Sequence, residues 1–339
     1  MAQTGPLNLI TDVRGILVGQ AEDRASITGT TVIIAEAPAV AAVDVRGGAP
    51  GSRETELLGP ATLVDRVDAV VLSGGSAFGL DAAAGVMDAL AAAGRGFAVG
   101  KARVPIVPAA ILFDLNFPGR THWTGEPPHR RLGREAVARA GKNFALGNQG
   151  AGLGAKAGTL KGGVGSASLR LADRAVVGAI VAVNACGAVV RPDCGRLWAA
   201  ELALAGEIPA QPTTPDVPLD LDDFSACGDG LVGANTTIAV VATDASLGKS
   251  ACQRFAMMAQ DGLTRAIRPA HTPLDGDTVF ALATGSGAEI DTAMLTRLGS
   301  LAADCLSRAI MRAVIAAESL GGFPSWREKW GSAKPEAPQ

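Results

Sequence analysis

Tyrosine is absent from the 339 residues, and aromatic side chains make up only 4% of them. A core with few rings must close-pack small side chains. The abundance of Ala and Gly suits an α/β enzyme better than a disordered or fibrous chain. An excess of one charge is also missing: the formal net charge is −3, with no basic block, which argues against a nucleic-acid partner. No apolar run reaches the ~18 residues a membrane-spanning helix needs, and Met1 to Thr11 lacks the regions of a secretory signal. No membrane partner is expected, and the cytoplasm is the default location. The five cysteines (Cys186, Cys194, Cys227, Cys252, Cys305) form no C-x-x-C pair and have no histidine at zinc spacing. They read as reduced structural thiols, not as a disulfide frame or metal site.

Periodicity supplies the elements. Thr30–Ala35, Val40–Val45, Ala69–Leu72, Ala175–Val183, Ile238–Ala242 and Val279–Thr284 read as strands. Asp81–Ala93, Leu132–Ala140, Arg196–Ala205, Leu247–Arg268 and Asp291–Glu318 read as helical, and Val104–Asp114 as an extended, buried segment. Glu207–Gly233, rich in Pro and Asp without periodicity, reads as a mobile connector, and Lys329–Gln339 as a frayed tail.

The connector ends at Asn235-Thr236-Thr237, where the apolar strand begins. Cleavage before Thr236 would leave a hydroxyl and a free α-amine on one residue. That combination is a nucleophile with its own base, because an α-amine titrates near ~7.7–8. A polar pair at a strand start is the plainer reading of the same residues.

Other segments bear on this choice. Strand, glycine turn and helix at Ser73-Gly74-Gly75-Ser76-Ala77-Phe78-Gly79 have the layout of a nucleophile elbow. Phe78 breaks its G-x-S-x-G spacing, and His122, His129 and His271 are the only histidines. Backbone N–H groups at this helix start, around Ser76, still suit an oxyanion or a carboxylate. Arg46 and Arg53 flank a glycine-rich loop that either holds a substrate carboxylate or is a solvated connection. The glycine stretch Gly147–Gly165 lacks the helix and acidic ribose ligand of a dinucleotide site, so no cofactor is expected. It places Lys161 between glycines, near reacting atoms or on a solvated turn. Asn184 ends a strand, as an oxyanion donor or a turn residue. Asp275 and Asp277 are too few for a metal cage and suit a hydrogen-bond network around a terminal amine, so no metal is expected.

These blocks, in this order, resemble the self-processing L-aminopeptidase/D-esterase (DmpA) type, which includes β-peptidyl aminopeptidases and nylon-oligomer (6-aminohexanoate oligomer) hydrolases. The resemblance runs from about Asn8 to Leu320. It is carried by Val43–Gly48, Ser73–Leu80, Val107–Asp114, Leu160–Gly163, Val183–Ala185, Asn235–Ile238 and Asp275–Thr278. It implies a four-layer αββα sandwich like that of the ornithine acetyltransferases. It also implies one catalytic domain that cuts itself at Asn235/Thr236 into an α chain, 1–235, and a β chain, 236–339.

On this resemblance Thr236 is the nucleophile and Asn184 the oxyanion-side asparagine. Asp275 and Asp277 are the acid pair near the amine, and Lys161 is the catalytic-site lysine. Phe113 stands where several relatives carry tyrosine. The activity implied is hydrolysis of amino-terminal peptide or amide bonds, or of linear ω-amino acid oligomers. An acyltransferase on the same fold and an uncut small-molecule binding protein are the alternatives. The two chains are expected to stay together and to assemble into homo-oligomers, a tetramer of αβ units among them.

Overall fold

The computed structural model describes residues 2–331 apart from 173–174, 205, 221 and 228–234. Nine strands form one continuous sheet: β1 (Ile16–Asp23), β2 (Thr28–Val45), β3 (Ser52–Arg53), β4 (Arg66–Ser73), β7 (Ala109–Ile111), β10 (Gly163–Arg170), β11 (Val176–Asn184), β12 (Thr236–Thr243) and β13 (Thr278–Ala283). Two small hairpins lie outside it, β5 (Phe97–Val99) with β6 (Ala102–Val104) and β8 (Lys156–Ala157) with β9 (Leu160–Lys161). The helices are α1 (Asp81–Ala92), α2 (His129–Ala138), α3 (Lys249–Ala259), α4 (Asp261–Ala266), α5 (Thr292–Ala316) and α6 (Trp326–Trp330). None of the described helices is long and apolar enough to cross a membrane.

The sheet runs β10-β11-β12-β13-β2-β4-β7-β3, with β1 also on β2. β2 is the joint. Its first half pairs with β1 and β4, its second half with β13, and the register breaks between Ile34 and Ala39. Exposed Pro38 lies in that break, where a residue with no N–H is tolerated. Thr30–Ala35 and Val40–Val45 thus belong to one bent strand, not two.

The bend lets the two arms of the sheet face each other. Side chains alternate across each strand, so Ile33, Leu72, Ile180, Ile238, Val240 and Phe280 fill the space between the arms. On the opposite face Val181, Ala239, Val241 and Ala281 pack beneath Phe255, Leu263, Leu306 and Ile310 of α3, α4 and α5. Val32, Ile34 and Val71 pack beneath Ala82, Val86, Leu132 and Ala136 of α1 and α2. Helix, sheet, sheet, helix is the αββα sandwich.

Two expectations, on a helix and on the cysteines, are corrected, and of the connector 221 and 228–233 lie outside the described residues. Arg196–Ala205 is not a helix, because its backbone is drawn into the preceding loop: Trp198 N–H donates to the Val189 carbonyl, and Arg191 N–H to that of Arg196. Only Ala200–Leu202 makes a 3₁₀ turn. The connector is anchored at its start, where buried Arg308 makes two 2.8 Å bonds to Glu207. Near its end Cys227 forms a disulfide with Cys186, so the five cysteines are not all thiols; Cys194, Cys252 and Cys305 are. The pair lie 41 positions apart with no motif linking them, and only the folded path of the chain brings them together. Of the tail, Lys329 and Trp330 end α6, while 332–339 lie outside the described residues.

Candidate active site

Thr236 opens β12, with Asn184 of β11 as its cross-strand partner. Its side chain is buried, and its hydroxyl donates to the carbonyl oxygen of Asn235, the residue just before it. The Asn235 oxygen also accepts the Gly276 N–H at 3.1 Å. One carbonyl therefore has a hydroxyl within reach and a backbone donor on its oxygen, and the donor, the Gly276 N–H, is placed to hold a charge developing there.

Gly276 was legible only as a spacer between two acids. A β-carbon there would lie 2.8 Å from Thr236 Oγ and from the Ala49 carbonyl oxygen. Gly276→Ala should push this turn off the Asn235 carbonyl. Misplacement by about 1 Å costs about 10²-fold, so a time course of chain cleavage on denaturing gels should slow by that order.

The two acids brace the same turn. Asp277 accepts from Thr237 N–H at 2.8 Å, from His271 N–H at 3.0 Å, and lies 2.9 Å from His271 Nδ1. Asp275 accepts from Thr272 Oγ at 2.6 Å, Thr272 N–H at 3.0 Å and Cys186 N–H at 3.3 Å. Burial, then the neighbouring Asp277 charge, pushes the Asp275 carboxyl above its ordinary value. Asp277 thus bonds the residue after Thr236 and Asp275 bridges to the residue before it, and His271 and Thr272 add to their bonding.

Asn184 is held by both ends of its amide. Its Oδ1 accepts Lys156 N–H at 3.0 Å and its Nδ2 donates to the Phe113 carbonyl at 3.1 Å. The Phe113 backbone is fixed in turn by buried Asp114, which accepts from Thr28 Oγ at 2.6 Å and Gly75 N–H at 2.8 Å. Gly75 has φ +87°, and a β-carbon there would fall 2.1 Å from the His129 ring, whose Nε2 lies 3.3 Å from Thr28 Oγ. Burial raises the Asp114 carboxyl to about 6 and lowers His129 to about 4. At the start of the Ser76 turn one N–H, that of Gly75, holds a carboxylate, the protein's own Asp114, while Ser76 N–H donates to the Leu112 carbonyl.

Lys161 is fully buried on β9, its ammonium donating to the carbonyls of Gly152 and Gly162, each at 2.9 Å. Burial lowers it to about 7, and the Asp114 charge draws it back upward. The unfolded chain restores ~10.4, so between these values the unfolded state binds the extra proton and stability rises with pH. Relative to Lys161→Met, the wild type should gain up to about 1.4 kcal/mol per pH unit across that window. Urea midpoints of both proteins from pH 7 to 9.5 measure it. Arg46 stays outside the site, its guanidinium on Asp44 at 2.8 Å and the Met257 carbonyl at 3.0 Å.

Beside Asn184 lies a cavity of about 170 Å³ lined by Phe113, Phe117, Pro118, Phe323, Asp114 and Lys156, among others. The Phe113 ring forms part of its wall and brings no hydroxyl.

The two-armed αββα sandwich is a fold of the N-terminal-nucleophile-hydrolase type, and the chain is a hydrolase of C–N amide bonds. More narrowly, the chain belongs to peptidase family S58, whose model matches residues 8–326. It is 46% identical to an uncharacterized aminopeptidase of Mycobacterium leprae (strain TN), over 95% of this chain and 94% of that protein. It is 32% identical to a 6-aminohexanoate-oligomer endohydrolase of Kocuria sp. (strain KY2), over 91% and 87%. The solved L-aminopeptidase D-Ala-esterase/amidase of Ochrobactrum anthropi shares the fold with TM-score 0.68 at 22% identity, over 96% of this chain and 90% of that one.

Proposed function

We propose that Thr236 is the nucleophile of this amide hydrolase and that the chain frees it by cutting itself at Asn235/Thr236. What supports this above all is the doubly bonded Asn235 carbonyl, which receives the Thr236 hydroxyl and the Gly276 N–H together. In self-cleavage the Thr236 oxygen attacks the Asn235 carbonyl carbon, the bond to the Thr236 nitrogen breaks and that nitrogen takes the hydroxyl proton, leaving an ester and a free α-amine; water then hydrolyses the ester. Thr236 is 2% exposed in the uncut chain, so cleavage must also uncover it before an amide substrate can approach.

Once cut, the Thr236 α-amine takes the hydroxyl proton and returns it to the leaving amine. Asn184 donates to the oxyanion, Asp275 and Asp277 hold the amine in place, and Lys161 sets the charge of the neighbouring wall. Water then clears the acyl group from Thr236. The α chain 1–235 and the β chain 236–339 stay joined, because β12 is paired on both sides, with β11 and β13.

The substrates proposed are short peptide-like amides and linear ω-amino acid oligomers, in line with the aminopeptidase and endohydrolase relatives. Assembly of αβ units into homo-oligomers fits the exposed apolar side chains of Phe97, Val99 and Val104 on the β5–β6 hairpin. Intact mass under denaturing conditions tests the processing: two species meeting at Asn235/Thr236 support it, and a single uncut species that still hydrolyses amides overturns it.

A further inference from the structure

The cavity beside Asn184 contains one charged group that the hydrolytic machinery does not use. Lys156 sits on β8, paired across the hairpin with Lys161, and its backbone is pinned by the bond from its N–H to Asn184 Oδ1. Its side chain is half-buried along the cavity wall. No ion pair or side-chain hydrogen bond of Lys156 occurs among the described residues. Asp114, the other charged group of the cavity, already has both oxygens bonded, to Thr28 and to Gly75.

We propose that Lys156 anchors the substrate by pairing with a free carboxylate carried one apolar segment away from the scissile amide. The apolar segment lies against Phe113, Phe117, Pro118 and Phe323. The proposal names the substrate class of the site, and its placement beside the scissile bond rests on the reading of Thr236 as nucleophile.

Three observations fix the chemistry. Burial alone lowers the Lys156 ammonium from its ordinary value, with no carboxylate drawing it back, so an incoming anion meets an uncompensated cation. The cavity volume of about 170 Å³ is on the scale of the ~150 Å³ that admits a benzene-sized group. One lysine among phenylalanine and proline walls satisfies a carboxylate but leaves a phosphate's remaining oxygens without donors.

The test compares hexanoate with hexanamide, which share the apolar segment and differ in charge, by calorimetry on the processed protein. Hexanoate should bind at least ~10-fold more tightly to the wild type, a difference of about 1.4 kcal/mol. Lys156→Met and Lys156→Gln should bring the ratio close to one, and Lys156→Arg should keep it. Equal binding of the two probes by the wild type, a comparison that needs no variant, overturns the proposal, as does a preference that survives in both neutral variants. The hydrolase reading is scored separately by amine release from amides. Acid-selective binding without turnover sinks that reading and keeps the anchor, whereas turnover without acid selectivity does the reverse.

Discussion

Thr236→Ala should leave the 339-residue chain in one piece and lower amide hydrolysis to background. Self-cleavage and turnover draw on the same oxygen, so one substitution removes both. Loss of the hydroxyl and the γ-methyl keeps the strand pairing with Asn184 and removes one buried methyl and one hydrogen bond, the one to the Asn235 carbonyl. A bond of that kind contributes ~0.5–1.5 kcal/mol, so the variant should fold, and its uncut mass is interpretable. Thr236→Ser keeps a hydroxyl and should still cut and turn over. Intact mass and an amine-release assay on the three proteins decide the matter. A Thr236→Ala protein that still appeared as two chains would move the nucleophile elsewhere.

Gly276→Ala complements this substitution. It keeps the Thr236 hydroxyl but crowds it, the added β-carbon falling 2.8 Å from Oγ, and it displaces the donor on the carbonyl under attack. Slow cleavage with normal turnover of the processed fraction would separate the two uses of Thr236. In the uncut chain the Gly276 N–H faces the Asn235 oxygen, and nothing requires the same donor to serve an external substrate.

The strands that position Thr236 were legible because they are short apolar β-branched runs between turn residues. β12 is Thr236–Thr243 against the expected Ile238–Ala242, and β11 is Val176–Asn184 against Ala175–Val183. The Asn184–Thr236 pairing was not legible, since register depends on which strands meet. Lys161 was visible as a lysine among glycines. Lys156, five residues earlier in the same stretch, carries no pattern of its own, and only the hairpin and the cavity distinguish the two. Gly276 could not be read as a donor because a backbone N–H leaves no trace in residue identity. His271 and Thr272 carry no motif of their own, and their bonds to Asp277 and Asp275 exist only once the chain around them folds back.

Asn184→Ala should lower amide turnover by ~10²–10³-fold, the usual consequence of removing one oxyanion donor. The loss should fall on kcat with little change in KM, since the bond it removes strengthens in the transition state. The side chain has a second duty, bridging Lys156 N–H to the Phe113 carbonyl, and truncation leaves both groups without that partner. Each buried group left unpaired costs ~1–3 kcal/mol, so stability falls as well, and the kinetic effect must be read at a temperature where the variant is folded. Asn184→Asp separates the two duties: its carboxylate still accepts from Lys156 N–H but has nothing to donate to Phe113 or to an oxyanion. Turnover should therefore fall at least as far in Asn184→Asp as in Asn184→Ala. Self-cleavage should persist in both, because the Asn235 oxygen has its donor in Gly276. Turnover near the wild-type rate in Asn184→Asp would remove Asn184 from the oxyanion site and leave it the task of holding Lys156 and Phe113 in register.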